Sequence, residues 1–217
     1  MHRYFVTGTD TDVGKTRVTA ALALALREAG ESPTIVKVVQ TGLARGADGD
    51  AARAGALAGV HSVELVRLEK AADPWSAARE QGTALRAAEL VAALDALEGP
   101  LAVEGTGGMM VPLNDREHLG NVVASAKLEA IVVVGLRLGC LNHTLLTLNL
   151  CRELRVLIAG AVLVERWGAT DPAYREDVTS VLQGKVRILG ILPFAPTEAE
   201  SVQAGAKLLR SLVNRDR

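Results

Sequence analysis

Short runs of β-branched and other apolar residues alternate along the chain with longer stretches rich in Ala, Leu, Arg and Glu. That alternation predicts strands and helices taking turns around a parallel sheet. Strands are expected at about Tyr4–Thr7, Thr34–Val38, Leu101–Glu104, Ala130–Gly135, Leu157–Val164 and Arg187–Leu192. Helices are expected at Lys15–Ala29, Ala51–Leu57, Leu85–Leu97, Asn121–Ala126, His143–Leu154, Pro172–Leu182 and Glu198–Val213. The near-continuous apolar character of LAVE, AIVVVG and LIAGAVLV suits strands covered on both faces. The expected fold is therefore α/β, a doubly wound, mainly parallel sheet flanked by helices. No repeat, low-complexity tract or Pro/Ser linker marks a boundary, so residues 1–217 read as a single domain. The glycine-rich, mixed-charge stretch from Gly42 to Gly49 reads as a surface loop.

Composition narrows the partners. A chain of 217 residues can bury one large core. Its 24 basic and 25 acidic residues nearly cancel, which gives no electrostatic reason to expect nucleic acid or an acidic membrane surface. The opening MHRYFVTG lacks the pattern of a signal peptide, and no apolar run reaches membrane-spanning length. A cytoplasmic location is expected. Cys140 and Cys151 sit in apolar helical surroundings and do not amount to a disulfide scaffold.

In open parallel sheets the ligand sits beyond the carboxyl ends of the strands, so the residues that directly follow strands carry the chemistry. The first such place is TDTDVGKTRV after Gly8. A helix start presents unpaired N–H groups and the positive end of its dipole, which attract phosphate. Gly14 lets the backbone approach, Lys15 can reach phosphate oxygens and the Thr16 hydroxyl can hold Mg²⁺. The usual P-loop NTPase pattern puts four residues between its glycines, whereas five separate Gly8 from Gly14. A Thr/Asp cap on an ordinary helix is the alternative.

The second place is TIVKVVQTG, where Lys37 falls at a predicted strand end, on the same edge as the phosphate loop. A flexible point charge suits a moving phosphoryl or carboxyl group, although a solvated strand-end lysine looks the same. Gln40 and Thr41 follow, either as substrate contacts or as turn formers. The third is VEGTGG, in which Glu104 closes a buried strand before Gly105, Thr106 and Gly107. A carboxylate there can ligate a metal, and an acid with glycines can also be a plain turn. Asp50 can supply a further metal oxygen or cap a helix, and Asp48 competes with it. The fourth is LGCLNHTLLT, where a turn before a helix can receive a carboxylate. A plain Asn142 cap beside a packed Cys140 is favoured there over a metal or nucleophile.

GTDTDVGKT, KVVQTG, VEGTGG and LGCLNHTLLT occur in the order and surroundings seen in the dethiobiotin synthetases, which the chain resembles from Tyr4 to about Ala195. The resemblance implies a homodimeric, Mg²⁺-dependent ligase of biotin biosynthesis. Its expected substrates are 7,8-diaminopelargonic acid, CO₂ and ATP or another nucleoside triphosphate. It places Asp12, Val13, Gly14, Lys15, Thr16 and Arg17 around the phosphates, with Gly105, Thr106 and Gly107 also at the nucleotide and Thr16, Asp50 and Glu104 on Mg²⁺. Lys37, with Lys15 beside it, resembles the family's catalytic lysine. Thr11 and Thr41 match substrate contacts. Leu138, Gly139, Cys140, Asn142 and Tyr174 resemble elements that one subunit offers to the substrate carboxylate held by its neighbour.

Three departures from the family pattern stand out. Val164 and Glu165 replace the usual Asn-Asp, whose amide reads adenine, so the base is expected to rest on Pro193, Phe194 and Ala195, and CTP becomes a candidate beside ATP. Position 12, where the family varies between Asp and Glu, holds the shorter Asp12. A usual Pro-His is Pro74-Trp75 here. Carbamate chemistry needs shelter from water, so the loop from Gly42 to Gly49 is expected to close over the site. Alternative readings are a partition- or septum-type switch ATPase and a regulatory relative that only binds nucleotide. The switch ATPases carry a second lysine five residues before the phosphate lysine, where this chain has Asp10.

Overall fold

The computed structural model describes residues 2–216. Seven parallel strands form one sheet: β1 (Arg3–Gly8), β2 (Thr34–Thr41), β3 (His61–Leu68), β4 (Leu101–Glu104), β5 (Glu129–Gly135), β6 (Ile158–Val164) and β7 (Ile188–Leu192). Their order is β3-β2-β4-β1-β5-β6-β7. The helices are α1 (Lys15–Glu28), α2 (Asp50–Ala58), α3 (Pro74–Gln81), α4 (Ala87–Asp95), α5 (Leu119–Ser125), α6 (Cys140–Glu153), α7 (Pro172–Leu182) and α8 (Glu198–Val213). No helix among the described residues is long and apolar enough to cross a membrane.

The doubly wound reading holds, because the alternating crossovers leave helices on both faces. On one face α1 lies between the sheet and α8, so its middle is buried all round, with every residue from Val18 to Leu26 inside. On the other, α3, α4 and α5 cover Phe5, Val36, Val38 and Val103. Helices α6 and α7 cover the β5–β6 end.

Two elements escape the sequence pattern. The edge strand β3, HSVELVRL, interrupts its apolar residues with charges and has one neighbour, so most of its side chains are only half-buried. Helix α3 starts at Asp73-Pro74, where the Asp73 carboxylate accepts from the Ser76 N–H at 3.0 Å. Proline preorganises that first turn. Strand β2 also runs on to Thr41, so Lys37 lies inside a strand rather than at its end. It still reaches the sheet edge, because β4 stops at its register partner, Glu104.

Candidate active site

The turn after β1 is shaped by backbone. Asp12 and Gly14 have φ of 57° and 103°, a curl that turns successive N–H groups inward. Gly14 is the N-cap of α1 and no side chain caps the helix, so a Thr/Asp cap is not what forms. The orphan N–H groups are left for an anion. Val13 is buried beneath the loop, near Gly8 and Gly135. Lys15 folds back over the turn and donates to the Asp10 carbonyl at 3.0 Å.

A cleft of about 340 Å³ opens over this turn. Asp12, Gly14, Lys15, Thr16 and Arg17 line it, as do Thr106 and Gly107 of the second glycine turn. Thr11 and Thr41 line both this cleft and a neighbouring hollow of about 390 Å³ floored by Ala72, Pro74 and Val111.

Parallel register brings the reactive charges together. Lys37 on β2 stands beside Glu104 on β4. The Lys37 ammonium donates to Glu104 Oε1 at 2.7 Å and to the Gly105 carbonyl at 3.2 Å. It also pairs with Asp50 Oδ2 at 2.7 Å. The Thr16 hydroxyl donates to the same Glu104 oxygen at 3.1 Å. Gly49, the N-cap of α2, has no side chain to cap the helix, and the Asp50 carboxylate faces the cleft and Lys37. Asp48 is exposed and makes no part of the cleft lining.

The two lysines differ electrostatically. Burial pushes Lys15 down to about 8; Glu104 opposes the shift and Lys37 adds to it. Burial acts to lower Lys37 as well, but the charges and hydrogen bonds of Glu104 and Asp50 outweigh it and hold the ammonium above the ordinary lysine value.

Glu104 is only 1% exposed, and its second oxygen, Oε2, has no hydrogen-bond partner. An unpartnered buried carboxylate oxygen is costly unless a cation completes it. Among the described residues no group of three or more His, Cys, Asp or Glu forms a metal cluster. Mg²⁺, however, uses one or two carboxylates with substrate phosphates and water rather than an all-protein cage. The hard oxygens of Thr16, Asp50 and Glu104 fit that ion.

Several expected residues lie elsewhere. Pro193, Phe194 and Ala195 form the β7–α8 loop outside the cleft, and the Phe194 N–H donates to Glu165 Oε2 at 3.4 Å. Val164 is buried against Gly14. The Glu165 carboxylate is committed to the Thr170 N–H at 3.2 Å and the Arg175 guanidinium at 3.3 Å. Neither can offer an amide to a base.

Leu138 and Tyr174 line a second hollow of about 350 Å³ with Trp167. The expected Asn142 cap is corrected: α6 begins at Cys140, Gly139 is its N-cap at φ 92°, and Asn142 is exposed on the first turn. Cys140 is packed, as expected, with Sγ 3.4 Å from the Tyr174 hydroxyl. That hydroxyl donates to the Arg137 carbonyl at 2.7 Å, so within one chain Tyr174 braces the turn. Both cysteines are free, and burial pushes Cys151 up to about 11.

Two cleft residues were missed. Arg53 follows Asp50 by one helical turn and pairs with Glu198 at 2.9 Å. Arg166 reaches Asp12 at 3.1 Å. The i, i+3 spacing and the strand-end rule, respectively, were signals that could have found them.

A phosphate-cradling turn, two clustered lysines and convergent hard oxygens on a doubly wound sheet define a nucleoside-triphosphate-using enzyme of the P-loop class. The fold alone is shared with the cell-division ATPase MinD of Pyrococcus furiosus, 23% identical with a TM-score of 0.59 over 100% of this chain and 98% of that one. A ParA family ATPase of Chlorobium tepidum is likewise similar, 16% identical with a TM-score of 0.58 over 96% and 91%. A family described as an AAA domain matches residues 2–200. The ATP-dependent dethiobiotin synthetase of Rhodococcus jostii is 38% identical, covering 93% of this chain and 90% of its own. That of Paramagnetospirillum magneticum is 37% identical over 94% of both. The chain belongs to the dethiobiotin synthetase family.

Proposed function

We propose that the chain closes the cyclic urea of dethiobiotin from 7,8-diaminopelargonic acid, CO₂ and a nucleoside triphosphate. One substrate amine loses a proton as its nitrogen bonds to CO₂, giving a carbamate. A carbamate oxygen then bonds to the γ-phosphorus as the bond to the nucleoside diphosphate breaks, forming a carbamic-phosphoric anhydride. The second amine attacks the carbamoyl carbon, loses a proton and expels inorganic phosphate as the ring closes.

The observation that carries this reading is the Lys37 ammonium, 2.7 Å from both Glu104 and Asp50 and next to the Lys15 turn. Phosphoryl transfer needs positioning and neutralisation of spreading negative charge, not a protein nucleophile. Lys37, held charged, steadies the carbamate and the moving phosphoryl; Lys15 and the N–H groups of the turn hold the phosphates. Mg²⁺, when bound, neutralises the phosphate oxygens, and Thr16, Asp50 and Glu104 would hold it. The hollow floored by Ala72, Pro74 and Val111 suits the aliphatic chain of the substrate.

The substrate carboxylate is proposed to reach the Leu138–Asn142 turn of a second copy. Exposure of Leu138 and Leu146, 93% and 60%, supports α6 and the turn before it as the contact between copies. The base is proposed to rest on Pro193, Phe194 and Ala195, so that CTP serves beside ATP. Equal-concentration assays with several triphosphates test this, and a strong preference for ATP refutes the inference from Val164. For the function itself, triphosphate should be consumed only when diaminopelargonate and bicarbonate are both present. Consumption triggered instead by DNA or a protein partner would indicate a switch ATPase.

A further inference from the structure

Asp50 is presented by a segment without regular structure, residues 42–49, and the side chains that fasten this segment come from β3 and from Glu69 just after it, which pairs with Arg45 at 3.2 Å; none of these residues lines the cleft. Arg67 donates through Nη1 to the Ala47 carbonyl at 2.6 Å and to the Ala44 carbonyl at 3.3 Å. Its Nε donates to Glu64 Oε2 at 2.8 Å, and its Nη2 lies 2.7 Å from the same oxygen. One edge of the guanidinium thus grips a carboxylate while Nη1 holds two loop carbonyls. The other Glu64 oxygen presses on Gly49, where an added Cβ would lie 2.0 Å from it. Gly49 directly precedes Asp50, whose N–H donates to the Gln40 side-chain oxygen at 2.9 Å. The loop expected to close over the site is fastened to the sheet edge in this structure.

We propose that Arg67, seated by Glu64, is a positioning residue for Asp50. By fixing residues 44–49 it sets where the Asp50 carboxylate meets Lys37 and where it would hold Mg²⁺. This inference rests on the function proposed above for the cleft. Lysine cannot replace the fork, because an ammonium is a point donor and cannot hold the carboxylate and two carbonyls in fixed directions. Backbone pairing of β3 with β2 runs over seven register pairs and does not need this side chain, so the role is separable from simple folding.

The test uses the full-length chain with Arg67→Ala, Arg67→Lys, Asp50→Ala and the double variant Asp50→Ala/Arg67→Ala. Dethiobiotin formation is followed alongside thermal melting and trypsin cleavage after Arg45, whose side chain is 92% exposed in the same loop. Arg67→Ala should lower kcat by about 10–100-fold, the range typical of outer-shell partners of a metal site. It should also hasten the Arg45 nick several-fold, with little change in melting. Arg67→Lys should nick and turn over like Arg67→Ala, and in the Asp50→Ala background the Arg67 change should cost little more. Wild-type rates and nicking in Arg67→Ala, full rescue by lysine, or losses that simply add would overturn the proposal. Should Arg67→Ala fail to fold, Arg67→Lys decides by the same readouts. An absence of dethiobiotin formation by the wild-type chain would refute the function instead, while the nicking comparison would still report on the tether.

Discussion

Lys15 and Lys37 face one cleft, yet the protein treats their protons in opposite ways. Lys37 is locked in its charged form by two carboxylates, so Lys37→Ala should abolish turnover while leaving triphosphate binding largely intact. Equilibrium binding beside single-turnover rates checks this, and retained turnover refutes the assigned role. Lys15, held near 8 by burial, is a titrating grip. Phosphate favours its ammonium, so triphosphate binding should take up protons as pH rises above about 8, and affinity should fall in that direction. Folding stability carries the opposite sign. The unfolded chain holds the Lys15 proton up to its ordinary value of 10.5 while the folded chain has released it above about 8, so this contribution to stability rises with pH between the two. The shift corresponds to at most roughly 3–4 kcal/mol. Calorimetry in buffers of different ionisation enthalpy, together with melting from pH 7 to 10, separates the two effects.

Among the elements, the start of α1 is the most exacting. Gly14→Ala would place a side chain at φ 103° with its Cβ 3.2 Å from Val164. A loss of about 1–2 kcal/mol is expected from the left-handed backbone alone. A drop in triphosphate affinity of tenfold or more is expected as the turn opens, measurable by melting and titration calorimetry. This element was legible because strand, glycine loop and Ala-rich helix adjoin in the chain. So were the buried central strands, whose apolar runs need no partner to be recognised. β3 was not legible, because an edge strand carries the charges that an interior strand excludes, and Glu64 and Arg67 broke the expected apolar run. The Lys37–Glu104 pairing was only half visible. Each residue could be placed at a sheet edge, but that β2 and β4 are neighbours with these two in register is a property of topology.

At the scale of the whole molecule, the cleft and the Leu138–Asn142 turn are separate features of one chain. If two copies share each site, variants defective in different halves should complement. Lys37→Ala and an Asn142 variant, each inactive alone, should recover roughly a quarter of wild-type activity after mixing and reassembly, since half the dimers are mixed and each of these keeps one intact site. No recovery, despite exchange demonstrated by mass spectrometry, would place the carboxylate contact within a single chain. The strand order has a further consequence for how the molecule comes into being. Lys37 and Glu104 are 67 positions apart, and β4 lies between β1 and β2, the two strands synthesised first. In the final arrangement those early strands never pair with each other; each pairs with β4, so they are joined only once β4 slots between them. In a nascent or refolding chain the long-range step that joins the middle of the sheet is therefore also the one that brings Lys37 to Glu104, so nucleotide has no assembled cleft to template before it.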